Sequence, residues 1–80
     1  MSDQHSAAQR QFLADRSVGD VLDGTVVENV AFGTFVEVFD GVHGLVHGSE
    51  WGATPAPGTP LRVTVLAVDL DNARLSLRPA

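Results

Sequence analysis

Eighty residues make one domain, and a chain of this size buries only about 60–65% of its unfolded surface, which excludes a thick core and favours a compact closed architecture. Five basic residues, all arginine, stand against ten carboxylates for a formal charge of −5, an imbalance that argues against tight binding to a phosphate backbone. The absence of cysteine removes disulfides, thiolate metal sites and cysteine nucleophiles, and no apolar run reaches the ~18 residues of a membrane span. With no signal-peptide layout at the N-terminus either, the chain is expected to be cytoplasmic, with no membrane partner.

Residues 1–17 are polar and alanine-bearing, with Ser6 three positions before Gln9 as a capping box and Phe12 and Leu13 as the large apolar residues besides Met1. Two outcomes are open for this segment. A short helix persists if Phe12 and Leu13 dock on the domain; otherwise the segment is a frayed tail, since isolated helices below about 12–15 residues are marginal in water. Residues 18–80 form the domain proper.

From Val18 onward the chain breaks into short β-rich segments separated by glycine or proline, predicting strands from Val21 to Val30, Thr34 to Phe39, Val42 to His47, Leu61 to Leu70 and Ala73 to Arg78. Asp40-Gly41 is a tight-hairpin signal, and Asp71-Asn72 supplies a second turn tolerant of positive φ. The link from Gly52 to Pro60 holds Pro55, Pro57, Gly58 and Pro60, which forbids regular structure there. Five short strands with a longer third-to-fourth link predict an all-β fold, a five-stranded OB-type Greek-key barrel.

Alternation along the strands assigns faces. Phe35, Glu37 and Phe39 share one face of the second strand and Thr34, Val36 and Val38 the other; Leu61, Val63, Val65, Leu75 and Leu77 point inward, while Arg74, Ser76 and Arg78 point outward. Outward aromatics on a barrel wall either stack nucleobases, a contact of about 1–3 kcal/mol per base, or cap the core.

Val18-Gly19-Asp20-Val21, Gly24-Thr25-Val26, Phe32-Gly33-Thr34-Phe35-Val36, Gly44-Leu45-Val46-His47-Gly48-Ser49-Glu50, Val63-Thr64-Val65-Leu66-Ala67-Val68-Asp69 and Arg74-Leu75-Ser76-Leu77 follow one another in an order and spacing that resemble the S1 domain, an RNA-binding OB-fold module. The resemblance implies an RNA-binding face made of Phe32, Phe35, His47, Asp69 and Arg74. In it the rings stack bases, His47 stacks or donates to a phosphate or 2′-OH, Arg74 meets phosphate or lies on a base, and Asp69 orients Arg74 or accepts from an exocyclic amine.

The chain departs from the family pattern in a link between Glu50 and Leu61 that is shorter than usual and carries Trp51, in His43 at a position often charged, and in Glu28, Glu37 and Asp40 where basic residues often flank the second strand. Each site residue also has a purely structural reading. Phe32 and Phe35 can seal the barrel, His47 can be a buried hydrogen-bonded histidine, Asp69 and Arg74 can be a turn-stabilising pair, and Trp51 can plug the end beside the short link. Arg62 and Arg78 read as solvated.

No catalytic constellation emerges: Gly48-Ser49-Glu50-Trp51-Gly52 lacks the spacing of a nucleophile elbow, and there is no phosphate-cradling glycine loop. No metal or cofactor is expected, because His43 and His47 four apart on a strand stand about 13 Å from each other. The chain is thus read as a non-enzymatic monomer. Its expected role is weak binding of single-stranded RNA with low sequence preference, in a ribosome-associated setting. The alternative is an acidic interaction module docking on a basic protein of the translation or transcription machinery.

Overall fold

The computed structural model of the protein describes residues 3–48 and 55–80. Its elements are a helix, α1 (Asp3–Ala14), and five strands, β1 (Val21–Val30), β2 (Gly33–Phe39), β3 (Val42–His47), β4 (Pro60–Asp69) and β5 (Arg74–Pro79). Ser49, Glu50 and Trp51, and with them the expected plug, lie outside the described residues.

The strands close into a barrel in the order β1-β2-β3-β5-β4, with β3 and β5 parallel and every other neighbouring pair antiparallel. Closure needs strands that serve two neighbours. β1 does so by pairing Val21 to Thr25 with β4 and Thr25 to Val30 with β2, and its register slips between Val26 and Glu28. Similar slips occur in β2 between Glu37 and Phe39 and in β4 between Val65 and Ala67. Such bulges bend and twist a strand, which lets five short strands curl shut.

The core is largely valine: Val26, Val36, Val42, Val46, Val63 and Val65 are buried together with Leu75 and Leu77. β-branched side chains are stiff at χ1 and pack well on a pleated surface, so a narrow barrel fills with them at small entropic cost. The inward assignments of Val63, Val65, Leu75 and Leu77 hold, and Leu61 packs half-buried against the cluster. Thr34 is the one buried polar side chain among the described residues; its hydroxyl donates to Asn29 Oδ1 at 2.7 Å. Asn29 in turn donates from Nδ2 to the Pro55 carbonyl at 2.7 Å, tying the proline-rich link to the barrel.

Of the two outcomes open for the N-terminal segment, the structure shows the docked helix. Leu13 is wholly buried in the core cluster and Phe12 packs against it. The helix lies by the β2–β3 turn, where Gln9 Nε2 donates to the Asp40 carbonyl at 3.3 Å. This placement also corrects the grouping of Phe39 with Phe35. Past the β2 slip, Phe39 stacks on Phe12 instead of joining Phe35.

The turns differ from expectation in one place. Gly41 has φ 80, as the Asp-Gly hairpin requires, but in the β4–β5 turn the left-handed residue is Ala73 at φ 54, not Asn72. Asn72 is instead engaged by Asp69, whose carboxylate accepts from its backbone N–H at 3.2 Å and from Nδ2 at 2.8 Å. Ala73 therefore belongs to the turn, and β5 starts at Arg74.

Candidate nucleic-acid interface

Two outward-facing rows of residues cross the barrel wall. One runs Thr25–Glu37–His43–Arg74–Asp69 through successive pairings of β1, β2, β3, β5 and β4. The next runs Glu28–Phe35–Leu45–Ser76. Between them β2, β3 and β5 form the floor of a groove of about 440 Å³, walled on one side by Phe32 and Phe35 and on the other by Asp69, Asn72 and Arg74.

Phe32 sits in the β1–β2 turn and is 60% exposed, an unusual degree of exposure for a phenylalanine. Its ring meets Phe35 edge to face, centroids 6.4 Å apart and planes 85° apart. The Phe32 carbonyl accepts from the Gly48 N–H at 3.0 Å, which fixes the turn against the end of β3. Rings at right angles present two π-faces that no single flat ligand can cover at once, so the corner suits two neighbouring rings in different orientations.

On the opposite wall Arg74 is exposed at the head of β5. Asp69 turns both carboxylate oxygens to Asn72, so its partner in the structure is the turn. Those two hydrogen bonds, led by the one from Nδ2, hold its carboxyl below the usual carboxylate range against an opposing cost of desolvation, with the nearby Arg74 charge a lesser contributor.

The floor depends on Gly44, one step along β3 from His43. A Cβ there would run into the Leu77 side chain and crowd the Leu75 carbonyl oxygen, so only glycine lets β3 and β5 approach closely enough.

Four of the five residues singled out from sequence, Phe32, Phe35, Asp69 and Arg74, line this groove. His47 does not: it ends β3, exposed, opposite Gly33 and beyond the groove's lining. The histidine that does line it is His43, half-buried between Glu37 and Arg74. Strand alternation already puts His43, Leu45 and His47 on one face, and that signal was available in the sequence.

Charge is divided across the wall. β1 and β2 carry Asp23, Glu28 and Glu37 and no basic residue, whereas β5 carries Arg74 and Arg78 and no acid. Arg62 of β4 faces Asp23 of β1 at 3.2 Å, an exposed pair. Among the described residues, no three His, Asp or Glu side chains converge as metal ligands would, and no helix is long and apolar enough to cross a membrane.

The sequence profile of the S1 RNA binding domain matches residues 16–78. The chain is 48% identical over 67 residues to the small ribosomal subunit protein bS1 of Staphylococcus saprophyticus and 44% identical over 66 residues to that of Staphylococcus aureus. Those stretches cover 74% and 72% of this chain, but only 17% of each relative's length. Among solved structures, GSP13 from Bacillus subtilis superposes with a TM-score of 0.74 at 33% identity, covering 81% of this chain and 56% of that one. The alpha subunit of aIF2 from Pyrococcus abyssi, at 22% identity and a TM-score of 0.70 over 79% of this chain and 28% of that one, shares the fold. Barrel order, profile and relatives agree, and the chain belongs to the S1 RNA-binding domain family.

Proposed function

We propose that the protein binds single-stranded RNA in the groove between the Phe32–Phe35 corner and Arg74, weakly and with little sequence preference, as a monomer without catalytic activity. The observation that carries this reading is the corner itself: two rings at 85°, one of them 60% exposed, facing an arginine across the floor of one groove. Phe32 and Phe35 stack bases, Arg74 meets the sugar–phosphate backbone, and His47 contacts the strand where it leaves the groove past Gly33. Asp69 acts by shaping the turn that presents Arg74. The acidic β1–β2 side keeps affinity low, because phosphates near Glu28 and Glu37 are repelled. The bS1 relatives support a cytoplasmic, ribosome-associated role.

An amide chemical-shift titration with a short mixed-sequence single-stranded RNA, at low and then moderate salt, tests the reading. Shifts centred on Phe32, Phe35 and Arg74 that fade with salt are expected. No shifts at millimolar RNA would overturn it and leave the docking of the acidic side on a basic protein as the reading to pursue.

A further inference from the structure

In the cross-strand row Thr25–Glu37–His43–Arg74–Asp69, His43 stands between an acid, Glu37, whose carboxylate accepts from the Gly41 N–H at 3.1 Å, and a base, Arg74. On β2 the direct neighbour is Glu37; on β5 it is Arg74. Glu28 of β1 shares with His43, Phe35 and Val27 a second shallow hollow beside the main groove, and Asp69 at the end of β4 closes the row. On its own strand His47 lies two positions further along the same face. Imidazole is the side chain that ordinarily changes charge between about pH 5 and 8. Its state therefore sets the number of cations in the middle of the row. Neutral, His43 leaves Arg74 as the lone cation among the described residues that line the groove. Protonated, it adds a second cation one strand nearer Phe35, a step of about 4.8 Å, and offsets Glu37 beside it.

We propose that His43 is a further RNA contact: as the imidazolium it donates to a backbone phosphate beside the one held by Arg74, so that RNA binding takes up a proton and strengthens as pH falls. This rests on the groove reading above. Two cations on adjacent strands, with stacking rings on one side, match a strand whose bases turn toward Phe35 and whose phosphates turn toward β5. A phosphate bound at His43 favours the imidazolium through a charge-assisted hydrogen bond. By linkage, protonation and RNA binding strengthen each other by the same factor.

A short oligouridine is the probe, since uridine neither gains nor loses a proton over the range used. Its affinity measured at about pH 7.5 and about pH 5.5 is expected to rise about three- to tenfold on acidification, the range in which a histidine rather than a carboxylate titrates. His43→Gln abolishes the rise, and His43→Lys binds at the higher pH as the unaltered protein does at the lower. His47→Gln weakens binding at both values yet keeps most of the rise. The His43 ring signals, followed by NMR, titrate at higher pH with oligouridine present than without. A rise that survives in His43→Gln, disappears in His47→Gln, or is absent while binding persists overturns the role of His43 alone. Absence of binding at every pH overturns the groove reading, and this proposal with it.

Discussion

Phe12 of the helix lies flat against Phe39 at the end of β2, ring centroids 4.6 Å apart and planes 15° from parallel. Arg16 completes the arrangement, its guanidinium 4.4 Å from the Phe12 ring centroid and its Nε donating to the Phe12 carbonyl at 3.1 Å. With Leu13 wholly buried, this contact makes α1 part of the fold. Phe12→Ala is expected to cost about 1–3 kcal/mol and Leu13→Ala about 2–4 kcal/mol, read from urea melts. A Phe12→Ala protein as stable as the parent would show that the stack contributes nothing.

Asn29 and Thr34 make a second, polar link. The Thr34 hydroxyl is buried and has Asn29 Oδ1 as its acceptor, so Asn29→Ala strands a donor in the interior at an expected cost of about 1–3 kcal/mol. Thr34→Val made on top of Asn29→Ala should recover part of that loss, because the orphaned group is gone. Strictly additive effects in the double-mutant cycle would refute the coupling.

Gly44 tests the parallel seam between β3 and β5. Gly44→Ala drives a methyl into Leu77, with expected destabilisation of about 1–3 kcal/mol and broadened amide signals along both strands. Unchanged melting would mean that the seam opens without penalty.

For RNA binding, Phe35→Ala is expected to weaken affinity by about 1–2 kcal/mol per stacked base while the fold is kept, since the ring is only half-buried. Arg74→Gln should act differently, lowering affinity evenly across sequences and reducing the salt slope by about one. Equal salt slopes for the parent and Arg74→Gln would remove the phosphate contact from the account.

Asp69 supplies a pH dependence with a definite sign. Its carboxyl is held low in the folded protein, chiefly by Asn72, so its contribution to stability is present above the ordinary carboxylate range and is lost as pH falls through the depressed value. Asn72→Ala should move the Asp69 carboxyl carbon titration toward higher pH and flatten that part of the acid-stability curve. An unmoved titration would take the Asn72 side chain out of the account and leave the depression to the backbone N–H groups of the turn and Arg74.

The strand pattern was open to reading because a barrel wall imposes a period of two: Val63 and Val65, then Leu75 and Leu77, point inward as alternation requires. The proline-rich link and the Asp-Gly turn were equally plain, since they act through local backbone geometry. Where alternation was carried across an irregularity it failed. The slip between Glu37 and Phe39 separates Phe39 from Phe35, and nothing in the identity of those residues announces a bulge.

The amino-acid order alone decided that there would be five strands, which side chains face inward, and an ordered set of motifs specific enough to indicate the S1 family. These are local or periodic properties of the chain. Tertiary structure decided the rest: that α1 docks through Leu13, that the left-handed turn residue is Ala73, and that His43 lines the groove while His47 ends β3 outside it. Each depends on residues far apart in sequence being set side by side. Arg74 is next to His43 because barrel closure pairs β3 with β5 in parallel, and no local preference encodes that pairing.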